Sequence, residues 1–134
     1  MGAPRTTGDG TFDGILVVNK PSGPTSHDIV ALVRRLTGVR RVGHGGTLDP
    51  FAAGVLPVFV GRATRLVEYH MADEKEYRAL VCFGARSTTD DLDGELSPID
   101  APAPQRAELE RAMAGFRGPI EQIPPDYSAV RVYG

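Results

Sequence analysis

Asp49 sits inside the run Gly43-His44-Gly45-Gly46-Thr47-Leu48-Asp49-Pro50-Phe51-Ala52-Ala53-Gly54, which reads as a loop because its glycines and proline suit neither helix nor strand. Gly43, Gly45 and Gly46 permit positive φ and close backbone approach. Pro50 restricts the residue before it to extended conformations, so Asp49 is presented from stiff backbone. A carboxylate held rigidly among glycines, beside arginine-rich flanks, suits nucleophilic or base chemistry on an anionic substrate. The same residues also describe an Asp-Pro turn with a capping carboxylate, and spacing alone favours that plainer reading. No Gly-Lys-Ser/Thr follows the glycines, so they do not make a phosphate-binding P-loop, nor do they fit the dinucleotide fingerprint.

Other reactive side chains offer less. His27, His44 and His70 are widely spaced and share no short-range pattern with Cys82, so no metal site is expected. Ser26-His27-Asp28 is not a triad, because adjacent helical residues point in different directions. Asp90-Asp91-Leu92-Asp93-Gly94-Glu95 hints at a calcium loop but lacks the alternating acids before its glycine and the closing glutamate; it reads better as a turn. Tyr77 has the chemistry to stack on a base, against a default place in or beside the core. Cys82 alternates within an apolar run and reads as core rather than nucleophile.

The elements that must position these groups follow from periodicity. Gly14–Asn19 and Val55–Val60 are short β-branched runs and read as buried strands. A helix is expected from about Ser26, capped by Ser26, with Asp28 in its first turn and Gly38 as its stop. Ile29, Leu32, Val33 and Leu36 would form its apolar face, with Arg34 and Arg35 off that face. A second helix is expected over 62–71, with Ala63, Leu66, Val67 and His70 on one side, and a third from about Gln105 to Phe116. Tyr77, Ala79, Val81 and Phe83 alternate, which predicts a strand over 76–83. Residues 86–104 read as loop, Pro124-Pro125 as extended, and 127–132 as a last strand. The class is α/β or α+β, with a mixed, mainly antiparallel sheet flanked by helices.

Length and composition bound the rest. The chain has 134 residues, 41% hydrophobic and 24% charged, which is ordinary for one globular domain and excludes a disordered tail, a collagen-like fibre or a coiled coil. No linker or internal repeat divides it. No stretch approaches the ~20 apolar residues of a membrane helix. Residues 1–13 are small and polar without an apolar core, so they read as a mobile tail rather than a secretory signal. A single cysteine allows no internal disulfide and makes the cytoplasm the default compartment. The net charge of −2 hides a segregation: residues 31–67 carry six arginines against Asp49 alone, net +5, while residues 68–134 carry −6. Arg34, Arg35, Arg40, Arg41, Arg62 and Arg65 suit planar contact with phosphates, although a charge run by itself more often marks a solvated face.

Several segments together resemble one family. Gly43-His44-x-Gly46-Thr47-Leu48-Asp49-Pro50-x-Ala52-x-Gly54-Val55-Leu56-Pro57 looks like the catalytic motif of the tRNA pseudouridine synthase B family. Lys75-Glu76-Tyr77-Arg78 resembles its second motif. Lys20-Pro21-x-Gly23-x-x-Ser26 and Pro125-x-Tyr127-Ser128-Ala129 resemble two more, in the right order, so the likeness runs from about Gly14 to Gly134.

The resemblance implies a pseudouridine synthase fold and isomerisation of uridine-55 in the T-loop of tRNA, without metal or cofactor and with no obligate protein partner. It makes Asp49 the catalytic aspartate, acting on the ribose C1′, on the base C6, or in glycal formation. Tyr77 matches the tyrosine that stacks on the flipped base, and flipping costs about a few kcal/mol. His44 matches a histidine lying against the disrupted loop, with Gly46, Thr47 and Tyr127 on the substrate side. Lys20 and Pro21 match an element near the site with a structural role first. Asp91 matches an aspartate in the charge network around the catalytic acid. Arg40 and Arg41 would track phosphates of the T-arm stem-loop.

Gly45 departs from the Thr or Ser common in the family, and Ser87-Thr88-Thr89 from its Thr-Asp-Thr. The resemblance also implies a catalytic domain that continues past Gly134, with an arginine pairing the aspartate, a pocket leucine, further strands and a C-terminal RNA-binding domain. No arginine of this chain stands in the matching place. Two rival readings remain: a dyskerin-type, guide-RNA-dependent synthase, which shares Pro21-Ser22-Gly23-Pro24-Thr25-Ser26-His27-Asp28, and a non-catalytic RNA-binding or tRNA-folding module.

Overall fold

The computed structural model describes residues 12–71, 73–89, 91 and 93–121. Although composition shows no linker, the chain divides into two compact units, Met1–Glu76 and Tyr77–Gly134.

The first unit contains β1 (Gly14–Lys20), α1 (Ser26–Thr37), β2 (Val42–His44) and β3 (Gly54–Val60), then a 3-10 turn (Gly61–Leu66) running into the short α2 (Val67–His70). β3 is the centre of a three-stranded antiparallel sheet, with β1 and β2 at its sides. Gly14 opposes Val60 and Lys20 opposes Gly54 across β1 and β3; Val42 opposes Val60 and His44 opposes Val58 across β2 and β3. One face of the sheet packs on α1. Ile29, Val30 and Val33 of the helix meet Val42, Leu56, Val58 and Val60, with Leu16, Val18, Val39 and Leu48 filling the margin.

The strands expected at 14–19 and 55–60 and the first helix are present, with informative shifts. Thr25, not Ser26, caps α1: its hydroxyl accepts from the Asp28 amide at 3.0 Å and its own amide donates to the Asp28 carboxylate at 2.8 Å, a reciprocal capping box. Ser26 is buried and used elsewhere. Val30 joins Ile29 and Val33 in the core, while Leu32 and Leu36 are 38% and 74% exposed, so the buried stripe is rotated from the expected one. Gly38 ends the helix in the left-handed conformation as expected. The helix expected over 62–71 is mostly 3-10, with one α turn. His44 and Gly43 pair as strand, so the loop proper begins at Gly45. Asp13, assigned to the tail, is tied in: its carboxylate accepts from the Arg62 amide and guanidinium at 2.5 Å each.

The second unit contains a hairpin, β4 (Ala85–Ser87) and β5 (Leu96–Pro98), and α3 (Arg106–Ala114). The hairpin replaces part of the loop expected over 86–104. Its turn is closed by one side chain and the backbone: the Glu95 backbone amide donates to the Thr88 hydroxyl, and the Thr88 backbone amide to the Glu95 backbone carbonyl. The strand expected over 76–83 is not formed. Alternation defines an apolar face, but a strand needs a neighbouring backbone, and none pairs with this segment among the described residues. Leu80, Val81 and Phe83 are accordingly exposed, as is Cys82, which the alternation had placed in the core. The expected segments at 124–125 and 127–132 lie outside the described residues.

Candidate active site

The loop between β2 and β3 is fixed on both sides of Asp49. Upstream, Leu48 is held by Ser26, whose hydroxyl donates to the Leu48 carbonyl and accepts from the Leu48 amide, both at 2.9 Å. The Leu48 side chain packs at the margin of the core. Downstream, the Pro50 carbonyl accepts from the Gly23 amide at 2.7 Å and from the Lys20 ammonium at 3.3 Å. Lys20 also donates to the carbonyls of Ala52 at 2.6 Å and Pro21 at 3.0 Å. Gly23 reaches Pro50 from a φ of +113°, a conformation that side chains rarely adopt. The first residue of α1 therefore grips the residue before the aspartate, and the end of β1 with its following turn grips the residue after it.

Asp49 itself is exposed, and among the described residues its carboxylate makes no hydrogen bond or ion pair. Its carbonyl accepts from the Ala52 amide at 3.1 Å, closing the Asp-Pro turn that spacing suggested. The backbone forms the expected turn, but among the described residues the carboxylate caps no amide of it. A free acid on a clamped backbone meets the geometric demand of nucleophilic or base catalysis, in which a reacting group must keep its aim.

His44 lies at the end of β2, half-buried, and donates from Nδ1 to the Gly46 carbonyl at 2.5 Å. That bond fixes the ring and leaves Nε2 for another partner. Gly46, at φ +134°, gives the chain its turn toward exposed Thr47. The sequence-predicted residues Lys20, His44, Gly46, Thr47 and Asp49 are therefore brought together. Lys20 lies beneath the loop, with none of its surface exposed, so it holds backbone and presents no charge to a ligand. Ser26 and Gly23 were read as a cap and a turn; their hold on the loop has no signature in periodicity, because it spans more than twenty residues of sequence.

Arg40 and Arg41 are exposed in the link from α1 to β2, and the Arg41 carbonyl accepts from the Gly61 amide at 2.7 Å. Two other arginines of the basic segment are engaged internally: Arg34 donates to the Val42 carbonyl at 2.9 Å, and Arg62 pairs with Asp13. Tyr77 and Asp91 belong to the second unit. Tyr77 is 69% exposed and lies in no regular element. Asp91 accepts from the Thr89 hydroxyl at 2.5 Å and the Asp93 amide at 2.9 Å, and these bonds hold its carboxyl below the usual carboxylate range. Among the described residues, Asp91 has no basic partner. Tyr127 lies outside them. No group of three or more His, Cys, Asp or Glu among the described residues is placed to hold a metal, and no helix among them is long and apolar enough to cross a membrane.

Residues 34–134 match the model of the TruB family of pseudouridylate synthases, N-terminal domain. The chain belongs to the TruB family. TruB relatives match closely: the tRNA pseudouridine synthase B of Synechococcus is 55% identical over 122 residues, covering 90% of this chain and 40% of its own length. That of Geobacillus kaustophilus is 51% identical over 126 residues, covering 92% of this chain and 44% of its own. The chain thus spans about two fifths of the length of these relatives. Among solved structures, a chain of a Cbf5-Nop10-Gar1 complex is 32% identical, with a TM-score of 0.58 over 90% of this chain and 31% of that one. The pseudouridine synthase fold and the α+β class expected from sequence are those of this family.

Proposed function

We propose that this chain carries the catalytic aspartate of a tRNA pseudouridine synthase, and that the enzyme isomerises uridine-55 in the T-loop of tRNA. The observation that carries this reading is the free carboxylate of Asp49, displayed from a turn gripped at Leu48 and Pro50. The family and the names of its relatives support the substrate class.

The reaction is an isomerisation and balances internally. The uridine is flipped out of its loop, and the N1–C1′ bond breaks. The uracil turns, C5 joins C1′, the C5 proton leaves, and N1 gains a proton. Asp49 engages the ribose or the base while the glycosidic bond is open. Tyr77 stacks on the flipped base and takes the C5 proton, and Asp91 supplies supporting charge. His44 faces the opened loop beside Gly46 and Thr47, with Tyr127 on the substrate side. Arg40 and Arg41 contact phosphates of the T-arm. The chemistry calls for no metal or cofactor.

Relatives named tRNA pseudouridine synthase B, about half identical over nine tenths of the chain, support a tRNA enzyme. The test is incubation of the complete gene product containing this chain with an unmodified tRNA transcript alone. Pseudouridine at the T-loop uridine is expected. Product only when guide RNA and partner proteins are added would overturn the assignment, as would tRNA binding with no product in either case.

A further inference from the structure

The upstream end of the Asp49 loop has a second support that neither the motif nor the clamp includes. The His70 ring, at the end of α2, lies against the loop at Gly45. A Cβ at position 45 would overlap the His70 Cδ2 and lie 2.7 Å from the Phe59 Cε2. Gly45 is buried, and its amide donates to the Pro57 carbonyl at 2.9 Å. It is not among the glycines at positive φ, so a side chain is excluded here by lack of room rather than by torsion.

His70 is itself held. Its Nδ1 lies 2.5 Å from the Asp73 carboxylate, and the Asp73 amide donates to the His70 carbonyl at 3.1 Å. Its ring tilts 55° against Phe59 with centroids 5.6 Å apart. Lys75 ties the segment further, donating to the carbonyls of Met71 and Asp73 at 3.0 and 2.8 Å. Its Cε lies 3.9 Å from where a Cβ on Gly46 would stand. The side chains of His70 and Lys75 therefore lie beside Gly45 and Gly46 respectively.

We propose that His70 is a positioning residue for Asp49, and that it can take this place only because residue 45 is glycine. The proposal rests on the reading of Asp49 as the catalytic acid. Lys20, Gly23 and Ser26 hold the loop from Leu48 onward; upstream, one hydrogen bond each ties Gly45 to Pro57 and Gly46 to His44, and side-chain packing must close the rest. The His70 ring supplies that packing at Gly45, and Asp73 fixes the ring. A side chain at 45 and a ring at 70 compete for the same space, so the two positions depend on each other.

The experiment is a double-mutant cycle in the complete gene product, with turnover at saturating tRNA and tRNA affinity measured separately, and thermal unfolding as the check on folding. His70→Ala is expected to lower turnover about tenfold through lost aim, with affinity unchanged because phosphate contacts supply it. Gly45→Ser alone is expected to lower turnover by displacing His70 and Phe59. His70→Ala with Gly45→Ser is expected to exceed either single variant, because the new side chain fills the vacated space. Wild-type turnover in His70→Ala, or a double variant showing the product of the two losses, overturns the proposal. Should His70→Ala fail to fold, Asp73→Ala removes the acceptor that holds the ring, at a largely exposed side chain where no core void results, and carries the same expected loss; wild-type turnover there overturns the proposal too. Asp49→Asn run in parallel separates the two readings. If it keeps turnover, the catalytic assignment fails; if it is inactive while the cycle is additive, only the role of His70 fails.

Discussion

At Lys20 three backbone carbonyls, those of Pro21, Pro50 and Ala52, converge on one ammonium that has no exposed surface. A buried charge is tolerated only when its hydrogen bonds are made, and here each bond also fixes chain beside Asp49. Replacing Lys20 with Met keeps much of the stem but takes the ammonium donor from the Pro21 and Ala52 carbonyls and leaves Pro50 with the Gly23 amide alone. The expected cost is about 3 kcal/mol in urea unfolding, with turnover lost in whatever fraction stays folded; unchanged stability would contradict the clamp. Residue types make Asp49 a conspicuous candidate, an acid among glycines before a proline in one short window, although spacing alone favours a plain turn. The means of holding it were less legible. Ser26 looked like a helix cap, yet its hydroxyl serves Leu48, and His70 looked like one more residue on a helical face, yet its ring lies on the loop. Both contacts join residues far apart in sequence, where spacing carries no signal.

At the scale of elements, α1 shows local rules acting as written. Thr25 and Asp28 form a reciprocal cap, and the Thr25 hydroxyl, then its amide, hold the Asp28 carboxyl below the usual carboxylate range. The folded state therefore binds that proton less readily than the unfolded chain. This stability is present above the ordinary carboxylate range and is lost as pH falls through it toward the lowered value. Asp13, held down by the Arg62 amide and guanidinium, and Asp91, held down by Thr89 and Asp93, act with the same sign. Thr25→Val is expected to make the acid limb of a stability-against-pH curve shallower while shifting neutral stability downward; an unchanged limb would contradict the cap's role. The strands β1 and β3 were legible because each is a continuous β-branched run with partners in the same unit. The segment 76–83 has equally clear alternation but no paired backbone among the described residues, so its pattern states a face without making a strand. The β4–β5 hairpin was missed for the opposite reason: its strands are three residues each, and its order comes from turn hydrogen bonds rather than from apolar periodicity.

Across the whole molecule, the charge map gains detail that composition could not supply. The basic segment has six arginines, all exposed, but Arg34 supports the start of β2 and Arg62 ties down Asp13, while the side chains of Arg35, Arg40, Arg41 and Arg65 have no partner among the described residues. Exposed arginines set the salt dependence of RNA affinity through the counterions they release. Arg40→Ala with Arg41→Ala is expected to weaken tRNA binding and reduce the salt slope by roughly one to two, whereas an unchanged slope would place the RNA elsewhere. Affinity and chemistry are thus assigned to different residues of the first unit, and they separate experimentally. The most direct measurement is pseudouridine formation at the T-loop uridine by the complete gene product with Asp49→Asn, alongside its tRNA affinity. The predicted result is turnover lowered about a thousandfold or more with binding largely kept, since one carboxyl adds little to phosphate contact. Full turnover in Asp49→Asn would contradict the account.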